Sequence, residues 1–206
     1  MIIAEIGWNF LGDIDLAKKM IDQASEAGCK YVKFQLWDPK NLKDGPWDND
    51  GRKEIYNKAY LDNDKYRLLY DYSKSKKLDC FASVFNIDGY KILLNCSSKY
   101  IKIPSLEAHD LDLIKKSLND FENVIVSTGA LKINELKNLE KFKDCKNLTL
   151  LHCVSSYPLN YDHCNFSKFF YIKEVFKRVG YSGHCPGIDD AIYAISNGAT
   201  VIEKHF

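Results

Sequence analysis

Short apolar runs of β type alternate with helical patterns along the whole chain, and this alternation limits the fold more than any other feature. There are eight such runs and seven intervening helical patterns. Alternation of this kind predicts a parallel sheet with right-handed crossovers. Eight units predict an α/β protein of the (β/α)8 TIM-barrel class, with an open doubly wound sheet as the alternative. The predicted strands are Ile2–Ile6, Tyr31–Gln35, Cys80–Val84, Tyr100–Ile103, Val124–Ser127, Leu148–Cys153, Val179–Tyr181 and Thr200–His205.

We expect residues 1–206 to form one barrel domain, because no internal linker interrupts the alternation. The eighth predicted strand is followed only by Phe206, so the helix that covers the last strand of such a barrel lies outside the sequence. An uncovered strand exposes apolar surface. We therefore expect a C-terminally incomplete barrel that lacks the final helix, or one that a partner chain or a second copy completes.

Charge and cysteine usage exclude several classes of protein. The formal net charge is +1, with 29 basic and 28 acidic residues, which argues against a nucleic-acid protein that relies on bulk positive charge. No apolar run approaches the roughly 18 residues of a membrane-spanning helix. The seven cysteines form no C-x-x-C pair, so we expect reduced thiols and a cytoplasmic protein.

Polar side chains gather where the predicted strands end. The active site of a TIM barrel lies at the C-terminal ends of its strands. Two lysines, three histidines and several serines occur there. This is more than we expect if the polar residues only end the buried strands. The residues are Glu5, Lys33, Ser83, Lys102, Ser105, Ser127, His152, Ser182, His184, Glu203 and His205.

The two-residue period of a strand predicts which of these side chains face inward. Lys102 lies between Ile101 and Ile103 and therefore on the opposite face of its strand, and Lys33 lies likewise between Val32 and Phe34. A lysine inside a barrel is costly unless an anion meets it. Together with the serines, the two lysines predict a pocket for a small, doubly charged anion.

His184 and His205 end strands that are neighbours in a barrel, and Glu203 shares a face with His205. Two converging imidazoles supply half of a metal site that suits Mn, Fe or Zn better than Mg. The alternative is a pair of core histidines with structural hydrogen bonds. No G-x-S-x-G, P-loop or G-x-G-x-x-G motif is present, so a serine hydrolase and a nucleotide-binding enzyme are not indicated.

Seven segments, taken together and in order, resemble the N-acetylneuraminate (sialic acid) synthase family over essentially the whole chain. No single segment is specific, but the combination is. They are IAEIG at 3–7 with Asn9, Gly12 and Asp13, VKFQ at 32–35, KIPSLE at 102–107, STG at 127–129, LHC at 151–153 with YP at 157–158, GYSGH at 180–184, and VIEKHF at 201–206.

The resemblance implies a TIM barrel that condenses phosphoenolpyruvate with an open-chain N-acyl amino sugar, assisted by a divalent metal, usually manganese. The products are a nine-carbon 2-keto acid (a nonulosonic acid) and phosphate. By position, His184 and His205 match metal ligands, and Glu107 matches a carboxylate near the reacting carbons. The other matches are the donor-binding residues Lys33, Ser83, Lys102, Ser105, Ser127 and Ser182, the sugar-side residues Ser155 and Tyr157, and the acidic residues by the metal, Glu5 and Glu203.

The chain departs from the family pattern at several positions. Phe10 and Leu11 replace the middle pair of Asn-His-Asn-Gly, Pro104 and Leu106 replace two glycines, and Gly183 stands where an aspartate usually precedes the metal histidine. Two other functions therefore stay open. One is a related phosphoenolpyruvate-dependent synthase with another sugar acceptor. The other is a degenerate barrel that acts as a binding module.

Overall fold

The computed structural model describes residues 1–42, 44–45 and 48–206. These residues form two compact units. The amino unit comprises Ala4–Ser98 with Phe206, and the carboxyl unit comprises Lys99–His205 with Met1–Ile3. The first strand contributes residues to both units.

The strands follow one another in chain order in a closed barrel, which confirms the (β/α)8 class and excludes the open doubly wound sheet. Each strand begins within one residue of its predicted start and ends within two residues of its predicted end. The strands are β1 Ile2–Gly7, β2 Tyr31–Leu36, β3 Asp79–Val84, β4 Tyr100–Ile103, β5 Asn123–Ser127, β6 Leu148–His152, β7 Val179–Gly183 and β8 Val201–His205.

Helices connect these strands, and several of them begin at an acidic or amide cap. The Asp13 carboxylate, for example, accepts hydrogen bonds from the backbone N–H groups of Asp15 and Leu16 at 2.9 and 3.0 Å and so satisfies free donors of the first turn. The connection from β2 to β3 contains two helices where one was predicted. In the described residues the helices are α1 Ile14–Glu26, α2 Arg52–Lys58, α3 Asn63–Ser75, α4 Ile87–Asn95, α5 Leu111–Asp120, α6 Ile133–Leu136, α7 Phe166–Val175 and α8 Asp189–Ser196.

In the amino unit, β2 and β3 pair in parallel, with Lys33 opposite Phe81 and Gln35 opposite Ser83. Val32 and Phe34 are fully buried, and so is Lys33 between them. The Lys33 ammonium reaches Ser83 Oγ on the neighbouring strand at 2.7 Å, and alternation along the strand places it on the face opposite Val32 and Phe34, as the sequence predicts.

In the carboxyl unit, β4 to β8 pair in parallel in chain order, and Ser182 of β7 lies opposite Glu203 of β8. Gly180 allows close packing in this sheet. A Cβ at this position would lie 2.5 Å from both the Leu151 side chain and the Val201 carbonyl oxygen. The absence of a side chain at Gly180 therefore lets the neighbouring strands approach closely.

Five of the seven cysteines are buried, whereas Cys29 and Cys145 are half-buried, and all seven are free thiols. The expectation of buried thiols thus holds for five. Within the part of the chain that the structure describes, we find no helix that combines the length and the apolar character needed to cross a membrane.

Candidate active site

The first lysine group lies in the amino unit and consists of Glu5, Lys33 and Ser83. The Lys33 ammonium lies 2.6 Å from Glu5 Oε2 and donates to Ser83 Oγ at 2.7 Å. Gln35 donates to the other oxygen of Glu5 at 2.8 Å. All three members of the group are at most 2% exposed. A buried charge is tolerated when a counter-charge and hydrogen bonds compensate it, and Glu5 and Ser83 provide both for Lys33.

The second lysine group lies in the carboxyl unit and consists of Lys102, Ser182 and Glu203. The Lys102 ammonium donates to both oxygens of Glu203, at 2.7 and 2.9 Å, and Ser182 Oγ donates to Glu203 Oε1 at 2.9 Å. These side chains are also buried. The sequence predicted that the anion beside each lysine would be a ligand. The structure shows that each lysine already has a glutamate of its own unit beside it.

A small polar cluster surrounds Gly129 at the end of β5. The Gly129 N–H donates to Ser105 Oγ at 3.1 Å, and Ser105 Oγ lies 3.2 Å from the Cys153 thiol. A Cβ on Gly129 would come within 2.6 to 2.8 Å of the Ser155, Cys153 and Ser105 side chains. Glycine at this position therefore leaves room for three polar side chains around the backbone.

Ser127 lies just before this cluster and is 3% exposed. Its hydroxyl oxygen has no hydrogen-bond partner among the described residues. Since buried hydroxyls are nearly always hydrogen-bonded in proteins, an unpaired one at the end of a strand marks a place where a ligand or water can bind. This is consistent with the predicted donor-binding role of Ser127.

The two histidines converge, as predicted from their strands. The His184 and His205 ring centroids lie 5.7 Å apart, and both rings are half-buried. The ring of Tyr157 contacts His184 at 4.1 Å and His205 at 5.9 Å, measured between centroids. Tyr157 itself is 67% exposed, so it covers the imidazole pair from the solvent side.

The imidazole pair fits the requirements of metal ligands. His184 Nδ1 donates to the Val154 carbonyl oxygen at 2.7 Å, which leaves the lone pair on Nε2. Metal-binding histidines usually have such a backbone hydrogen bond on the other ring nitrogen. Burial lowers the pKa of His184 and so favours the neutral form that can bind a metal.

No group of three or more histidine, cysteine, aspartate or glutamate side chains is arranged around a possible metal position in the described ranges. His184 and His205 would therefore supply only part of a coordination sphere, and water or substrate oxygens would have to supply the rest.

The remaining predicted residues lie in loops of the carboxyl unit. Glu107 is half-buried on the 3₁₀ turn Ser105–Glu107, and Ser155 is exposed after β6. The structure describes no contact that tests their predicted roles, which stay predictions.

The sequence did not predict the contacts of two further polar side chains, His152 and Asp190. His152 was recognised as a strand-end residue, but its hydrogen bond from Nε2 to the Cys164 carbonyl oxygen (2.7 Å) was not foreseen. Burial lowers the pKa of His152 to about 4, so this imidazole is neutral near pH 7. The other group is the buried carboxylate of Asp190, which bonds to Tyr181 and Lys204. No strand pattern points to Asp190, because it begins a helix.

Comparisons with known proteins indicate the family of the chain. Residues 20–206 match the sequence model of the NeuB family. The N,N'-diacetyllegionaminic acid synthase of Campylobacter jejuni is 33% identical over the whole chain, which spans 67% of that protein. The pseudaminic acid synthase of Helicobacter pylori is 31% identical, again over the whole chain and 65% of its own length.

A solved structure is similar over the whole chain. It is the N-acetylneuraminic acid (sialic acid) synthetase of Leptospira borgpetersenii in complex with citrate, with a TM-score of 0.87 and 31% identity. The chain covers 72% of that structure. The chain thus spans about two thirds to three quarters of the length of these relatives.

Proposed function

The chain belongs to the NeuB family, and we propose that it carries the barrel of an enzyme that joins phosphoenolpyruvate to an open-chain N-acyl amino sugar. The products of this reaction are a nonulosonic acid and phosphate. The observation that carries the proposal is the presence of two buried lysines, each held by a glutamate and accompanied by a serine. Relatives named as legionaminic, pseudaminic and sialic acid synthases support the same reaction class.

We propose that the two lysines and the nearby hydroxyls bind the anionic oxygens of phosphoenolpyruvate. This donor carries a phosphate and a carboxylate, and preorganised ammonium and hydroxyl donors stabilise such charges strongly where water is excluded. Lys33 and Lys102 are 1% and 4% exposed, so their charges are little screened. The unpaired hydroxyl of Ser127 is a further donor for a phosphate or carboxylate oxygen.

In the proposed reaction, the electron pair of the donor's C2–C3 double bond forms the bond from the methylene carbon to the aldehyde carbon of the sugar, and the aldehyde oxygen takes up a proton and becomes a hydroxyl. Water then adds to the electron-poor C2 of the donor. In the tetrahedral intermediate the C2–O bond to phosphate breaks while the new hydroxyl at C2 loses its proton, which gives the 2-keto group and free phosphate. We assign to Glu107 the task of accepting the proton from this water, as a general base. Lys33 and Lys102 hold the donor in place and balance the charge of the departing phosphate.

His184 and His205 would hold a divalent metal, which we propose to be manganese. A metal bound there supplies Lewis-acid polarisation of a substrate oxygen. The exposed ring of Tyr157 and the nearby Ser155 are proposed to contact the sugar. A homodimer or a completing partner chain stays a prediction.

Phosphate release tests the proposed function. The 206-residue chain is incubated with phosphoenolpyruvate and Mn²⁺, with and without N-acetylmannosamine, and binding of the donor is titrated in parallel. Release that depends on the sugar supports the synthase reaction. Donor binding with release only when another N-acyl amino sugar is supplied indicates a related synthase. If the chain binds neither donor nor metal, the proposal is wrong and the degenerate binding module is favoured.

A further inference from the structure

A buried carboxylate lies close to the histidine pair, on the helix that follows β7. Asp190, in the first turn of α8, has a side chain that is 0% exposed. It accepts hydrogen bonds from the Tyr181 hydroxyl at 3.1 Å and from the Ala191 N–H at 2.9 Å. Burial raises the pKa of Tyr181, so this hydroxyl keeps its proton and remains a donor to the carboxylate. Asp190 thus has a fixed position.

The ammonium group of Lys204 connects Asp190 to the backbone beside each histidine. Lys204 Nζ lies 3.1 and 3.3 Å from the two oxygens of Asp190 and donates to the Cys185 carbonyl oxygen at 2.8 Å. Cys185 directly follows His184, and Lys204 directly precedes His205. One ammonium group therefore ties the two histidine-bearing segments to each other.

Gly183 makes room for this arrangement. A Cβ at position 183 would lie 2.5 Å from Asp190 Oδ2, 2.9 Å from the Tyr181 ring and 3.0 Å from Lys204 Cδ. Any side chain at position 183 would thus displace the carboxylate from its place.

We propose that Asp190, acting through Lys204, is a positioning residue that sets the separation of the His184 and His205 rings. The ion pair holds the Lys204 ammonium against the Cys185 carbonyl, and this contact keeps the ends of β7 and β8 together. The inference rests on the proposed function only where it concerns metal binding. The link between the ends of β7 and β8, which we call the tie, is supported by the contacts of Lys204 with Asp190 and with the Cys185 carbonyl oxygen.

Hydrogen exchange of the metal-free chain tests the tie directly. In Asp190→Asn, which keeps the size of the side chain and removes its charge, we expect at least tenfold faster amide exchange at 184–185 and 203–206. The matched control is Asp120→Asn, which removes a carboxylate paired with Lys116 at 3.3 Å on the surface of α5. It should leave both segments unchanged. Unchanged exchange in Asp190→Asn would overturn the proposal.

The other member of the ion pair provides the second test. Asp190→Ala should weaken Mn²⁺ binding at least tenfold, as measured by calorimetry, and Lys204→Met, which removes the ammonium group, should weaken it to the same extent. Because the two residues act through one contact, Asp190→Ala combined with Lys204→Met should weaken binding no further than either change alone, and this comparison remains informative if Asp190→Asn does not fold. Additive effects in the folded double variant would contradict the proposal. If the unmodified chain does not bind Mn²⁺ but shows the predicted exchange pattern, the metal site is wrong and the tie is supported.

Discussion

The two lysine groups have the same three residue types but connect them differently. In the amino unit, Ser83 accepts a hydrogen bond from Lys33, so the ammonium is shared between a hydroxyl and Glu5. In the carboxyl unit, Lys102 donates to both oxygens of Glu203, and Ser182 donates to that carboxylate. The serine thus supports the cation in the first group and the anion in the second.

This difference shows that a buried lysine can be stabilised in two ways. An ammonium that donates to two separate residues keeps one hydrogen-bond partner when the other residue rotates away to contact a ligand. An ammonium that donates to a single carboxylate depends on the orientation of that carboxylate, which the serine maintains. Both arrangements satisfy the rule that a buried charge needs a counter-charge and hydrogen bonds.

Removal of either lysine should have the largest effect on stability. Lys33→Met and Lys102→Met each leave a buried glutamate without its counter-charge, so we expect the free energy of unfolding to fall by about 3–5 kcal/mol. Urea denaturation measures this. Removing the glutamate as well, in Lys102→Met/Glu203→Leu, should recover most of the loss. A loss no larger than that of Lys116→Met, which breaks a surface pair, would show that these ion pairs are not buried in solution.

Acid should destabilise the chain through His152 of the carboxyl unit, the unit that contains all five histidines. The pKa of His152 is lowered from 6.5 to about 4 in the folded chain, so between these values the unfolded chain binds a proton that the folded chain does not. The contribution of neutral His152 to the free energy of unfolding is therefore fully present above pH 6.5. It falls by about 1.4 kcal/mol per pH unit as the pH drops towards 4.

This acid response can be measured by denaturation at pH 7 and pH 5. We expect the unmodified chain to lose about 2 kcal/mol more than His152→Gln, which keeps a donor for the Cys164 carbonyl but does not titrate. Equal losses in the two proteins would mean that His152 is protonated in the folded chain at pH 5.

The smallest effects should come from the serines, and they should separate the two groups most clearly. Ser83→Ala and Ser182→Ala each remove one hydrogen bond, with an expected cost of about 1 kcal/mol. Because Ser83 bonds to the lysine, its effect should vanish when Lys33→Met is already present. Because Ser182 bonds to the glutamate, its effect should persist with Lys102→Met and vanish with Glu203→Leu. Double-mutant cycles measure both couplings, and identical couplings in the two groups would contradict the difference described above.

The strands and the inward direction of the lysines could be predicted from the sequence, because a period of two is a local property of the chain. The convergence of His184 and His205 was also predictable once neighbouring strands were assigned. The residues that pair with the two lysines could not be predicted in this way. Glu203 on β8 is distant in sequence from Lys102 on β4, and these two strands are not neighbours in the sheet. Only the closed barrel brings the two side chains together.

Asp190 was missed for a related reason. A polar residue in the first turn of a helix is ordinarily explained by capping, and nothing in its spacing indicates burial against Tyr181 and Lys204. One signal was Gly183, where the chain departs from the pattern of the family it resembles. A missing side chain next to a predicted site residue is a reason to look for the group that occupies its space.

Calorimetric titration with phosphoenolpyruvate tests the central claim, that both buried lysines serve the donor. The unmodified chain should bind the donor saturably. Lys33→Met and Lys102→Met, folded by circular dichroism, should each weaken binding about 30-fold or more, or about 2 kcal/mol, while Lys116→Met leaves binding unchanged. Binding that survives in either buried-lysine variant with unchanged affinity would contradict the claim.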